Sequence, residues 1–455
     1  MRAKELFDTS VEQVARGDVR GALATLLSAV AEDPGHGPSL EAAGRVCRVL
    51  GAPDDASLFE TLAEHPDHAD ALFALAYRLV DQRRPDVAVP LLARALAATP
   101  KDHALRRELA YAELLDGRFD ECLTTLAPLR NEPELAEPEQ LDVYLLSAEA
   151  ALVSGRRELA SAALDLADHL VPDDTQRARL DALHAQLGRA AHFEALKGAG
   201  LRPWHFIQHA GMLLKVAGGW MEDGSRGGRY EHLALRPDMV AFLLQRFCDV
   251  AADFELSFDV VLPASQVAAP LAHALAGRLG CDVGDDLADR QGRAALLVAS
   301  NAAEFTPFLS GLAAHKPDLR LFSLNLDWSR PAPLCPEVVG VLAQRVLLPW
   351  EERYALDPNQ PQELRQQARD TRGVVELATD LIAAMDALPD DGGKARDEFL
   401  EIYRPLAGEL ILGNDELHPF RRQFTQVSPA WASTSLRPEG SEDDGDDPDD
   451  EGWVG

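Results

Sequence analysis

Residues 69–100 read ADALFALAYRLVDQRRPDVAVPLLARALAATP, and the placing of their apolar side chains decides the fold of the first half of the chain. Ala71, Leu72, Leu75, Ala76 and Leu79 recur at helical spacing, and Ala88, Leu92, Ala95 and Leu96 do so again. Between them DQRRPD is too polar to bury, and Pro85 suits the first turn of a second helix. The stretch therefore predicts two helices folded back on one another. So short a hairpin cannot bury both of its faces alone, and similar neighbours are expected along the chain.

Copies follow at a spacing of roughly 34 residues, each closed by a proline soon after an apolar helix: Pro34, Pro66, Pro100, Pro138 and Pro172. Gly17, Gly117 and Gly155 fall at the same turn between helices. The second helix repeats a small-then-large order as Ala22/Leu26/Ala29, Ala88/Leu92/Ala95 and Ala160/Leu164/Ala167, which permits close helix approach. Over about residues 3–174 this pattern resembles the tetratricopeptide repeat family. Two copies depart from it. The second, Gly35–Pro66, is two residues short and places Asp54 where the others have Ala22, Ala88 or Ala160. The fourth has Cys122 there and is followed by the insertion NEPELAEPEQ, so a bend or wider gap is expected at both. Thr175–Phe193 reads as an amphipathic helix that would cap the last repeat.

The resemblance implies a groove lined by the first helix of each pair. By the family's register that groove would present Phe7, Phe73, Tyr77, Arg107, Tyr111, Leu145 and Glu149, a set suited to an apolar or amphipathic peptide or helix of a partner protein. Some members clamp a C-terminal carboxylate with Lys, Arg and Asn. Here the matching Asn positions hold Val11, Tyr77, Tyr111 and Glu149, so no such clamp is expected. Tyr77 and Tyr111 equally fit packing between repeats.

Past EALKGAGLRPW, near residue 195, helix pairs give way to helices alternating with short apolar runs. Helices are expected over Pro237–Ala252, Gln266–Leu279 and Glu304–His315, and strands over Phe258–Pro263, Ala294–Ser300 and Leu319–Leu326, with RVLLP (345–349) as a fourth. Such alternation predicts a mainly parallel sheet covered on both faces. Beyond Pro361 the chain is expected to return to helix, at Val374–Leu388 and Ala395–Tyr403. The expected architecture is an α-helical solenoid (1–194), an α/β domain (195–390), a helical or irregular extension (391–436) and a disordered acidic tail (437–455).

The segments DVVLPASQVAAPLAHALAGRLG and ALLVASNAAEFTPFLSGL make the α/β half look like the type I phosphoribosyltransferase fold over about residues 237–350. That resemblance implies two adjacent acids and a Thr/Gly-rich phosphate loop after the second strand. The chain has Ala299 and Ser300, then Ala303, Glu304 and Phe305, so a non-catalytic relative is expected, and Glu304 would repel a phosphate.

Other candidate chemistry is sparse. AGGWMEDGSRGG, with Gly218, Gly219, Gly224, Gly227 and Gly228, has neither GxGxxG nor a GK[ST] ending and reads as a hairpin tip. His205 and His209 stand four apart after Pro203 on an expected helix, a spacing that binds a metal when a third ligand exists. HFIQH lacks the Glu of HExxH and no third ligand is evident, so no metal is expected. Ser265 lacks the flanking glycines of a nucleophile elbow. No catalytic residue and no cofactor are assigned.

A formal charge of −31 argues against nucleic acid or an anionic membrane as partner, because phosphate contacts need clustered Lys and Arg. Nine of the acids lie in Glu439–Glu451, and the body is acidic as well. That tail reads as solvated, or as an acidic peptide anchored by Trp453 in a partner or in the chain's own groove. Cys47, Cys122, Cys248, Cys281 and Cys335 form no CxxC pair, and the first residues lack a signal-peptide apolar run, so a cytoplasmic place is expected. The expected function is a non-enzymatic adaptor that binds a partner through the repeats. The alternative is an enzyme or sensor for a nucleotide or sugar phosphate, targeted by the repeats.

Overall fold

A computed structural model describes residues 2–194, 196, 200–216, 225–226, 228–285, 292–309, 319–328, 334–357, 360–389 and 393–410. The acidic tail, Trp453 and most of the glycine-rich AGGWMEDGSRGG fall outside them. Contacts divide the chain into two compact units, Met1–Leu183 and His184–Gly455.

The first unit is five helical hairpins: α1 (Arg2–Ala15) with α2 (Val19–Glu32), α3 (Gly37–Val49) with α4 (Pro53–Glu64), α5 (Ala69–Asp81) with α6 (Pro85–Ala98), α7 (His103–Leu115) with α8 (Phe119–Leu126), and α9 (Glu137–Val153) with α10 (Arg157–Ala167). A further helix, α11, spans Asp174–Ala190. Each first helix ends the same way. One residue turns left-handed: Gly17 (φ +82°), Gly51 (+79°), Arg83 (+60°), Gly117 (+77°) and Gly155 (+78°). The next amide then reaches back to close the motif, as Asp18 N to Gln13 O (2.9 Å), Ala52 N to Cys47 O (2.9 Å), Arg84 N to Leu79 O (2.8 Å), Arg118 N to Glu113 O (2.8 Å) and Arg156 N to Ala151 O (2.7 Å). These are Schellman closures, which satisfy carbonyls the helix end would otherwise strand.

That turn sets the register of the second helices. Counting from it, Ala22, Ala88 and Ala160 fall at one position and are at most 1% exposed. The second copy places Ala56 there, fully buried, so the expectation that Asp54 stands in the alanine's place is corrected. Asp54 is exposed in the first turn of α4, where a carboxylate suits the helix dipole. Its Leu-equivalent is Glu60, which turns outward to Arg48 while neighbouring Phe59 fills the core. In the fourth copy Cys122 is fully buried at the alanine's position, and a 3₁₀ turn, Ala127–Asn131, leads from α8 into the insertion. Across the second copy, α2 also packs directly on α6.

The second unit begins with α12 (Leu201–His209) and β1 (Met212–Leu213). There follow β2 (Ser225–Arg226), β3 (Arg229–Ala234), α13 (Pro237–Asp253), β4 (Val260–Pro263), α14 (Ala269–Leu279), β5 (Asp282–Val283), β6 (Ala295–Ala299), β7 (Leu319–Leu326) and β8 (Val338–Leu347). The sheet runs β2-β3-β8-β7-β6-β4-β5, with β1 on the same edge of β8 as β3. All pairs are parallel except β2–β3, whose tight turn uses Gly228 at φ +81°. Its core strands are buried on both faces, as the continuous apolar runs of β4, β6 and β7 require.

Three expectations need correction. RVLLP is only the end of β8, whose buried part starts at Val338. Gly340 lets two strands approach: a Cβ would lie 2.4 Å from the Leu324 carbonyl oxygen. Where Glu304–His315 is expected as a helix, a 3₁₀ turn covers Ala302–Phe308, and residues 310–318 lie outside the described ones. Beyond Pro361 the chain is not helical at once: β9 (Arg353–Asp357) and β10 (Gln360–Gln367) form an antiparallel pair. Helix returns at α15 (Val374–Asp386), packed on α13 and α14, and α16 (Lys394–Tyr403). Tyr403 is fully buried with its hydroxyl 3.0 Å from the Leu213 amide, which ties α16 to β1, and burial pushes the phenol up to about 12.

Two measurements check the first unit. A Cβ at Gly17 meets nothing within 4 Å, so Gly17→Ala isolates the left-handed backbone and should cost about 1–2 kcal/mol in denaturant unfolding of the repeats. Glu113 on α7 is 7% exposed, one of its carboxylate oxygens lacks a partner, and burial pushes its pKa up to about 7. A folded-state pKa above the unfolded value means stability present below the unfolded pKa and lost as pH rises toward 7. Glu113→Gln should therefore exceed wild type by about 2 kcal/mol at pH 8, with the gap closing near pH 4.

Candidate functional site

The first helices of the hairpins carry the residues expected in a groove, and the structure sorts them. Tyr77 on α5 is 52% exposed and Tyr111 on α7 is 38% exposed, so both reach solvent, Tyr77 the more openly. Phe73 stacks on Tyr77 with centroids 6.3 Å apart, and its other side rests on the repeat core. Phe7 meets His36 edge-on at 6.0 Å and is likewise half-buried against that core. Val11 and Val14 on α1 are about half exposed.

Three of the expected residues are already committed within the chain. Leu145 is fully buried, a correction explained by α9 being apolar nearly all round: eleven of its residues are buried, so it is packed on every side. Arg107 Nη1 pairs with Glu139 at 3.0 Å. Glu149 pairs with Arg179 of α11 at 2.6 Å, while Gln176 of α11 donates to Pro138 O at 3.1 Å and to Asp142 at 2.9 Å. Helix α11 thus lies along the first helix of the last hairpin. Burial raises the Tyr111 phenol pKa, and the carboxylates Glu149, Glu108 and Asp81 raise it further, with Arg179 opposing. Tyr111 is set in acidic surroundings.

In the second unit the strand order reverses between β4 and β6. In an open parallel sheet a crevice for ligands forms there, beyond the carboxyl ends of the strands. Glu304 occupies it. Ser265 Oγ donates to Glu304 Oε2 at 2.8 Å, the Ser300 amide donates to the same oxygen at 3.1 Å, and the Ser300 hydroxyl donates to Oε1. Ser265 in turn accepts from the Ala268 amide at 3.2 Å. Ser265 and Ser300 are therefore engaged by a carboxylate at the mouth of this crevice. Glu304→Ala removes the acceptor from three donors and should lower the second unit's unfolding free energy by about 1–3 kcal/mol, read from its denaturant midpoint.

The histidine pair also acquires company. His205 and His209 lie on one face of α12, fully enclosed, with ring centroids 5.1 Å apart. Cys335, just before β8, brings its Sγ to 4.0 Å from His205 Nε2. Sequence reasoning missed this third group because it lies 130 residues away, with no spacing motif to link them. Burial pushes His205 down to about 4 and His209 well below the usual range, and drives the Cys335 thiol up.

The first unit is a helical-hairpin repeat array. The tetratricopeptide repeat family's model matches residues 79–133, within α5 to α9 of this array. Solved structures similar to the chain include a tetratricopeptide repeat protein from Parabacteroides merdae (21% identity, 42% of this chain and 72% of that one, TM-score 0.25). PilF of Pseudomonas aeruginosa (18%, 42% and 85%, TM-score 0.26) and TTC0263 of Thermus thermophilus (20%, 42% and 100%, TM-score 0.24) are others. No curated protein matches the chain. The phosphoribosyltransferase resemblance of the α/β half finds no support in these comparisons. No helix among the described residues is long and apolar enough to cross a membrane.

Proposed function

We propose that the protein is an adaptor whose repeats bind an apolar or amphipathic helix or peptide of a partner protein, centred on Tyr77 and Tyr111. The observation that carries this reading is the exposure of two tyrosines, at 52% and 38%, on the first helices of successive hairpins. Tyrosine is costly to leave in water and enriched where partners dock, because it offers a large rigid ring with a polar tip. Phe73, stacked beneath Tyr77 and anchored in the core, holds that ring in place. Asp81 and Glu108 near Tyr111 favour a ligand with Lys or Arg beside its apolar face. The net charge of −31 argues for a protein partner over nucleic acid or an anionic membrane, and a cytoplasmic place fits the five unpaired cysteines. Glu304 in the sheet's crevice fits a second unit that serves recognition or support and does not transfer a phosphoribosyl group.

The test uses the full chain. Proteins captured on immobilised wild type are cross-linked and mapped, and the partner's affinity is then measured for Tyr77→Ala/Tyr111→Ala. Cross-links at α5 and α7 with at least about a tenfold loss of affinity and unchanged helical circular dichroism are expected. Full affinity in a folded double variant overturns the reading.

A further inference from the structure

We propose that His205, His209 and Cys335 form a closed binding site for one copper(I) ion, held by two imidazoles and a thiolate. The three side chains are 4% exposed or less, and their donor atoms all lie within 4.8 Å of one another. His209 Nδ1 is buried with no hydrogen-bond partner, and the Cys335 Sγ to His205 Nε2 separation of 4.0 Å is a weak contact for a thiol. Neither is a settled end state for buried polar atoms.

The backbone fixes this arrangement. Residues four apart on α12 put both imidazoles on one face. The helix then stops at Ala210 in the left-handed region (φ +52°), and the Met212 amide bonds Glu337 O at 2.8 Å as β1 pairs with β8. Gly211 makes the approach possible: a Cβ there would lie 3.2 Å from Pro336 O and 3.3 Å from His205 Nε2. Strand pairing therefore presses Cys335 against the histidines.

Donor chemistry and charge choose the ion. Thiolate with imidazole suits zinc and copper. A metal bonded at about 2.0–2.3 Å needs donors about 3.4–3.8 Å apart, which side-chain torsions reach from here. Structural zinc takes four ligands, and among the described residues this group offers three. Zinc with one thiolate would also leave a net positive charge in an enclosed site beside Arg189, whose guanidinium bonds Ile207 O at 2.8 Å and Gln208 O at 3.2 Å at the end of the same helix. Copper(I) with one thiolate is neutral. On binding, the S–H bond breaks, a Cu–S bond forms, and one proton leaves to solvent, with no change of oxidation state.

The experiment titrates the reduced full chain with copper(I) against a chromophoric chelator under anaerobic conditions, and with zinc in parallel. One equivalent of copper(I), preferred over zinc, is expected. Cys335→Ser and His209→Gln should each weaken it at least about 100-fold. X-ray absorption of the copper-loaded wild type supplies a reading independent of how either variant folds: one sulfur and two imidazole scatterers. Sub-stoichiometric binding, unweakened binding by folded Cys335→Ser, a shell of two or more sulfurs from the other four cysteines, or a preference for zinc overturns the proposal.

Discussion

The repeat half of this protein depends on one backbone conformation used five times. A helix that ends in water can fray, but one that must fold back on a partner has to reverse within a few residues while its last carbonyls stay satisfied. A left-handed residue solves both problems, because it aims the following amide at the carbonyl five residues before it. Gly17, Gly51, Gly117 and Gly155 adopt it without a Cβ penalty, whereas Arg83 adopts it with one. From that residue the chain counts a fixed number of positions to the small side chain of the second helix. The hairpin's core is therefore indexed by its turn.

This indexing explains which parts of the fold were legible. Periodicity alone marks the helices, since Ala71, Leu72, Leu75, Ala76 and Leu79 are all buried as their spacing requires. Periodicity does not fix register, so Asp54 looked like the odd residue of the second copy until Gly51 showed that Ala56 is its alanine. In the α/β half, short apolar runs named β4, β6 and β7. Strand β8 was only half legible: RVLLP marks its end, while its buried part from Val338 carries a glycine set against Leu324.

Sites were harder to read than folds. Exposure of Tyr77 and Tyr111 depends on what neighbouring helices leave uncovered, and no local pattern carries that. Leu145 fits the groove register, yet α9 is enclosed on all sides. The two histidines were visible as a pair, whereas Cys335 joins them only because β1 and β8 run side by side. Glu304 shows the opposite case: its place after a strand hinted at conflict with phosphate, and the structure gives it that crevice's donors.

The direct packing of α2 on α6 changes how the array holds together. In an ordinary stack each repeat touches only its neighbours, so stability is a nearest-neighbour sum and an end repeat can detach alone. Here the first hairpin also grips the third, and peeling it away breaks two interfaces at once. The first three hairpins are thus coupled beyond nearest neighbours, so loss of the first is felt in the third as well as the second.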